Sequence, residues 1–209
     1  MTRLKSIEDI SEIRNMMERA SRFISLSGLS GVFSGFFAVI GSSAAYWYFN
    51  IFAVESTTPF IFSSLGLAEE MLLIGIILPA LVFIFALGSA LYLTTKNSKR
   101  KSLPIWDTLT KKLVLNLFGP IFIGGIFILA LISKNYFDLL IPASLIFYGL
   151  ALINGSHFTY SDIRHLGYVQ IILGIVSLWL SNYAIIIWGI GFGVMHVIYG
   201  MIMYFKYER

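Results

Sequence analysis

The chain is predicted to be all-α: a polytopic transmembrane bundle of six spans, N-in and C-in, preceded by an amphipathic helix on the membrane surface. Three observations predict this. Hydrophobic residues make up 57% of the chain and charged residues 12%, against roughly 25% charged in soluble domains, and the mean hydropathy is +0.82. Six apolar runs each approach the roughly 20 residues that a helix needs to cross about 30 Å of hydrocarbon. Of the 15 Lys and Arg residues, all but Lys134 then fall on one side: Arg3, Lys5, Arg14, Arg19 and Arg22 before the first run, Lys96, Lys99, Arg100, Lys101, Lys111 and Lys112 between the second and third, then Arg164, Lys206 and Arg209. Basic residues stay cytoplasmic during insertion, so the pattern predicts both termini inside.

Residues 1–22 form the first expected element and residues 23–209 a single transmembrane domain, because the loops are too short for a separate soluble unit. Ile7, Ile10, Ile13, Met17 and Ala20 recur at helical spacing before the first span. Ser6 with Asp9 makes a capping-box-like start, and Arg14–Glu18 and Glu18–Arg22 are i,i+4 ion pairs. This charged segment has no central apolar run, so a retained interfacial helix is expected rather than a cleaved signal. The first span runs from Phe23 to Phe49 and ends on Tyr46, Trp47 and Tyr48. The segment from Phe52 to Glu70, without Lys or Arg, lies on the outer interface, and Glu69 and Glu70 open the second span, Met71 to Thr94. Trp106 precedes the third, Leu113 to Ile132. Tyr136 and Phe137 precede the fourth, Leu139 to Gly155. The fifth, Leu166 to Ser181, is joined to the fourth by a polar connection holding His157, Asp162, Arg164 and His165. The sixth, Tyr183 to Phe205, closes on Tyr204 and Tyr207. Spans four and five are the shortest, which makes a re-entrant hairpin the rival topology. Pro79, Gly119–Pro120, Gly124–Gly125 and Pro142 are expected to bend spans two, three and four.

Small residues form a stripe along the first span: Ser27, Gly28, Gly31, Ser34, Gly35, Ala38, Ser42 and Ala45, with Gly31 and Gly35 as a GxxxG pair. The sixth span repeats the device through Gly189, Gly193 and Gly200. In lipid such faces permit the close backbone approach that helix packing requires. They serve packing within the chain, a dimer seam or a cavity wall.

His196 shares the small face of the sixth span, with Tyr199 beside it. An ionisable group deep in a span is a functional candidate, and the competing reading is a neutral ring bonded to a neighbouring helix. Asn116, Asn154, Gln170, Ser27 and Ser34 occupy the same cytoplasmic half, and together they predict a polar pocket open to that side. Local helix-to-helix hydrogen bonding is the plainer account of the same residues.

Several chemistries are excluded. The chain has no Cys and only three His, which removes thiolate metal sites, disulfides and thiol nucleophiles. It has no HExxH, P-loop, GxSxG or paired intramembrane carboxylates. Haem held by two deep histidines lacks its second ligand, and no cofactor or metal is expected. The net charge of +4 follows from the loop bias and does not imply nucleic acid. Comparing the first three spans with the last three gives no internal repeat, so nothing supports an inverted-repeat transporter.

The stretch from Glu18 to Gly31, the run Leu145 to Gly155 around Tyr148, and the ending Gly191 to Arg209 resemble an uncharacterised family of bacterial six-span membrane proteins. The resemblance spans nearly the whole chain. It implies a bacterial inner membrane location and weight on the Ser21–Gly31 and His196–Gly200 motifs, and it carries no activity. The expected function is therefore small-molecule binding or transport through the cytoplasmic pocket. The alternative is a structural or signalling subunit that joins a homo-oligomer or another membrane protein through the small faces, and a third is a membrane-embedded enzyme using His196.

Overall fold

The computed structural model describes residues 27–55, 67–100 and 106–209. The surface helix expected before the first span, the outer segment around Pro59 and the Glu69–Glu70 side chains lie outside the described residues. Every regular element among the described residues is helical: α1 (Gly28–Glu55), α2 (Leu67–Arg100), α3 (Thr108–Ser133), α4 (Leu140–Gly155), α5 (Asp162–Trp179), α6 (Ala184–Trp188), a π-helical segment (Gly189–Met195) and α7 (His196–Tyr207). Short 3₁₀ turns at Phe137–Leu139 and Ser181–Tyr183 lead into α4 and α6.

Five of these stretches are long and apolar enough to cross a membrane, namely α1, α2, α3, α4 with its leading turn, and the composite Ser181–Tyr207. The 18-residue α5 falls outside that group because Asp162, Arg164, His165 and Gln170 dilute its apolar run. Large apolar side chains point outward all round α2 and α3, among them Ile84, Leu91, Leu115, Phe122 and Leu129. In water such a surface is an association liability, whereas in hydrocarbon it is the required finish of a helix whose backbone groups are all satisfied internally.

Local chemistry sets the helix ends. The Asp107 side chain accepts from the Thr110 amide and the Thr110 hydroxyl, each at 2.7 Å, and so caps α3. The bonds from Thr110 hold this carboxyl below its ordinary pKa. At the other end, the Tyr136 amide bonds to the Leu131 carbonyl and the Asn135 amide to Ile132, while Asn135 takes a φ of 59°. This is a Schellman closure, with Asn supplying the left-handed residue that glycine usually provides. Pro142 falls in the first turn of α4, where its missing N–H breaks no helical bond, so it does not interrupt the helix as expected. Pro79 and Pro120 lie inside α2 and α3, which continue through them.

Packing follows the glycines. α1 runs antiparallel to the sixth span. A Cβ on Gly28 would lie 2.6 Å from the Gly200 carbonyl oxygen, one on Gly35 2.6 Å from that of Gly193, and one on Gly189 2.5 Å from Ser42 Oγ. The small faces of the first and sixth spans are therefore buried against each other. α4 and α5 meet in the same way, since Cβ atoms on Gly149 and Gly167 would each reach the other's carbonyl, at 2.7 and 2.8 Å. This second glycine contact was not anticipated, because Gly149 and Gly167 belong to different spans and neither carries a GxxxG pair. Gly124 is a packing position rather than a bend, with its Cβ site 2.5 Å from Phe147 Cβ. α2 packs principally along α1 and α3 along α4, leaving α1, α4, α5 and the sixth span at the centre.

Both described chain ends meet on one face. Ser27 Oγ donates to Glu208 Oε2 at 3.2 Å, and the Gly28 amide donates to Glu208 Oε1. The carboxylate thereby caps the first turn of α1, where the helix dipole favours negative charge.

Candidate functional site

His196 opens α7 immediately after the π segment and is 8% exposed. Its Nδ1 lies 3.0 Å from the Gly191 carbonyl and its Nε2 2.8 Å from Tyr148 Oη on α4. A carbonyl only accepts, so Nδ1 carries the hydrogen; in the neutral ring Nε2 then accepts from the Tyr148 hydroxyl. Gln170 on α5 donates its Nε2–H to the same Gly191 carbonyl at 2.7 Å, while its Oε1 is buried with no partner. The Gly191 oxygen thus joins α5 to the sixth span, and the far side of the His196 ring joins α4 to it.

The π segment makes this junction. The sixth span was expected to be one uninterrupted helix. Gly189, Gly191 and Gly193 carry no side chains to hold the α-helical register, and two side-chain donors compete for the Gly191 carbonyl, so the turn widens. Phe192 in this segment lies against Trp188, Tyr148 and His196 at ring-centroid distances of 5.1, 4.9 and 6.0 Å. Aromatic rings fill the space around the imidazole.

The other residues of the expected pocket are not gathered here. Asn116 donates to the Lys112 carbonyl at 2.8 Å, and Asn154 to the Asn116 carbonyl at 3.3 Å, both on exposed surface between α3 and α4. Ser34 donates to the Ala86 carbonyl of α2 at 3.2 Å, and Ser27 is committed to Glu208. Tyr199, one turn beyond His196, is half-buried and lies within Coulombic reach of Asp162. Of these, only Asn116 turns back on its own helix, the common resort of a short polar side chain; Asn154, Ser34 and Ser27 reach acceptors on other elements, and so the set is dispersed. Only Gln170 of the expected partners meets His196, through their shared acceptor. Tyr148 was missed as a site residue. The signal for it was a hydroxyl-bearing ring in mid-span, away from the interfaces where Tyr normally anchors.

Near the basic end, Asp162 accepts from Lys206 Nζ at 2.9 Å and from Tyr207 Oη at 2.6 Å, and the Tyr160 and Tyr207 rings stack at 4.0 Å. Tyr207, expected as an interface anchor, ties the chain end to the start of α5. Partial burial works to raise the Asp162 carboxyl, but the bonds from Tyr207 and Lys206 outweigh it and leave the group below its ordinary pKa. Among the described residues, no three His, Asp or Glu side chains are placed to hold a metal ion together.

A cavity of about 140 Å³ lies toward the opposite end of the bundle, between α1, α2, the Phe137–Ile141 corner and α6. Gly41, Ala45 and Phe49 form one wall, Leu78 and Val82 another, and Trp188 stands at its base. Asp138 and Ser181 give it a polar rim. Pro79 has no N–H, so the Gly75 carbonyl, also in the wall, lacks its usual i+4 donor.

Among the described residues, fold and site together define a helical protein with five membrane-length apolar helices, a buried aromatic–histidine junction and a largely apolar cavity. Comparison with known protein families, curated proteins and solved structures finds no match to this chain.

Proposed function

We propose that the chain is an integral membrane protein of six crossings, with both ends cytoplasmic, that binds a small apolar ligand in the cavity between α1, α2, α4 and α6. Four supports bear on the topology. The start of α1 and the end of α7 share a face through Ser27, Gly28 and Glu208, which favours an even number of crossings, with α5 as the sixth. The basic residues of α2, α3, α5 and α7 gather at that same face. The Asp162 bonds to Lys206 and Tyr207 place the start of α5 there as well. The resemblance to a bacterial family points to the inner membrane.

The cavity carries the binding reading. Its lining is mostly apolar, and its volume is close to what a benzene-sized molecule occupies. It also moves the expected site, because the polar groups of the cytoplasmic half are bonded to each other and to nearby backbone. The assembly reading loses its carrier, since the small faces of α1 and the sixth span are spent on each other. The enzymatic reading gains no carrier, since His196 is buried between Tyr148 and the Gly191 carbonyl and is not among the residues that line the cavity. Benzene is the test probe: a ligand that binds the folded state raises the unfolding temperature, and Gly75→Leu, which fills the cavity, removes the rise. Reporter fusions after Arg209 and at Lys134 should read cytoplasmic and external respectively. No benzene shift in the unaltered protein refutes the binding reading, and an external signal after Arg209 refutes the topology.

A further inference from the structure

Among the described residues, the cavity is only partly enclosed along α2. α2 lines it with Gly75, Leu78, Pro79 and Val82, packs principally along α1, and carries exposed Ile76, Ile77, Leu81 and Phe83 on its other sides. The facing wall, Leu140 and Ile141, follows the exposed Leu139. The route into the cavity between α2 and α4 is thus apolar and continuous with the outer surface of the helices.

The cavity is also long for its volume. Gly41, Ala45 and Phe49 lie on one face of α1 at intervals of four residues, about 12 Å of helix at 1.5 Å per residue. Gly75, Leu78, Pro79 and Val82 repeat this along α2. The channel between them runs parallel to the helices, which is the direction of hydrocarbon chains in a bilayer. Its polar side chains, Asp138 and Ser181, belong to the turns that lead into α4 and α6, and among the described residues the Gly75 carbonyl is the one freed acceptor along its length. A compact polar solute finds few partners in such a slot, whereas a linear apolar chain fills it with its polar end outside.

From this geometry we infer, resting on the binding reading above, that the occupant is an acyl chain of a bilayer phospholipid entering sideways between α2 and α4. Trp188, at the base of the slot, reports on it. The test uses the full chain with Trp188 as its sole tryptophan (Trp47, Trp106 and Trp179→Phe) in nanodiscs of phosphatidylcholine with plain or acyl-brominated chains. Bromine quenches indole on close approach. Brominated lipid should remove most of the Trp188 fluorescence, and Gly75→Leu should restore most of it. The Cβ site of Gly75 has nothing within 4 Å, so this variant is expected to fold, and an unchanged helical circular dichroism spectrum checks that. Equal quenching in Gly75→Leu means that the bromines act from lipid outside the slot and overturns the inference. No quenching by brominated lipid, but quenching by bromobenzene added from water, overturns the lipid as occupant and leaves the binding reading intact. Quenching by neither overturns both.

Discussion

A single methyl group at Gly200 should push α1 away from α7. Its carbon would stand 2.5 Å from the Val32 amide nitrogen and 2.7 Å from the Gly28 carbonyl oxygen, and both are backbone atoms that no rotamer change can move aside. Non-bonded carbon contacts settle at about 3.5 to 4.0 Å, so the two helices must part by on the order of 1 Å. That displacement also loosens the fit at Gly28 and Gly31, which face the same stretch. Overpacking of this kind costs about 1 to 3 kcal/mol. Replacing Gly by Ala inside a helix returns roughly 0.5 to 1 kcal/mol whatever its surroundings. Gly125 in α3 supplies the control, since nothing lies within 4 Å of its Cβ site. Gly125→Ala should therefore be slightly more stable than the parent, and Gly200→Ala less stable than Gly125→Ala by about 1 to 3 kcal/mol. Reversible unfolding in mixed micelles of mild detergent and dodecyl sulfate, followed by circular dichroism, measures the difference. Equal stabilities for the two variants would refute the close α1–α7 contact.

Three further outcomes are expected. His196→Phe leaves the Tyr148 hydroxyl buried without its acceptor and should cost about 1 to 3 kcal/mol. The double variant with Tyr148→Phe should cost less than the sum of the singles, and strict additivity in the unfolding cycle would break the assigned bond. Glu208→Ala uncaps α1 and should cost about 0.5 to 2 kcal/mol, seen as faster hydrogen exchange at the first amides of α1; unchanged exchange there removes the capping role. The Asp162 carboxyl lies below its ordinary pKa in the folded chain, so the unfolded chain binds its proton more tightly. The stability it confers is present above about pH 4 and is lost as pH falls through the lower folded value. Melting temperatures taken downward from about pH 5 should fall less steeply for Asp162→Asn than for the parent, and parallel curves would refute the coupling.

Much of the candidate site was not legible in advance, for reasons that particular residues make plain. His196 stood out because one imidazole in an apolar run is conspicuous in any sequence. Its partners did not, because they are set by rotation and depth in other spans: Tyr148 was read as part of an apolar run, and the Gly191 carbonyl has no signature in residue type. Asn116, Asn154, Ser27 and Ser34 lie in the same half of the bundle as His196, and that coarse depth is what a linear reading supplies. Their azimuth sends them to other seams, where nearby carbonyls satisfy them. The cavity is built from residues such as Gly41, Val82 and Ile185 that carry no chemistry of their own and that only helix placement brings together.

The sequence by itself determined the helical class, the positions of the apolar runs and the small faces of the first and sixth, because these rest on local properties: the hydropathy of some 20 consecutive residues, the 3.6-residue period and the absence of side chains at Gly. Tertiary structure decided what those faces meet. It joined Gly28, Gly35 and Gly200 within one chain, widened the turn at Gly189–Met195 into a π segment, saturated His196 between Tyr148 and Gly191, and left open space beside Trp188. Each of these depends on which helix stands next to which, and that is a sum of contacts between residues far apart in the chain, which no single stretch of sequence encodes.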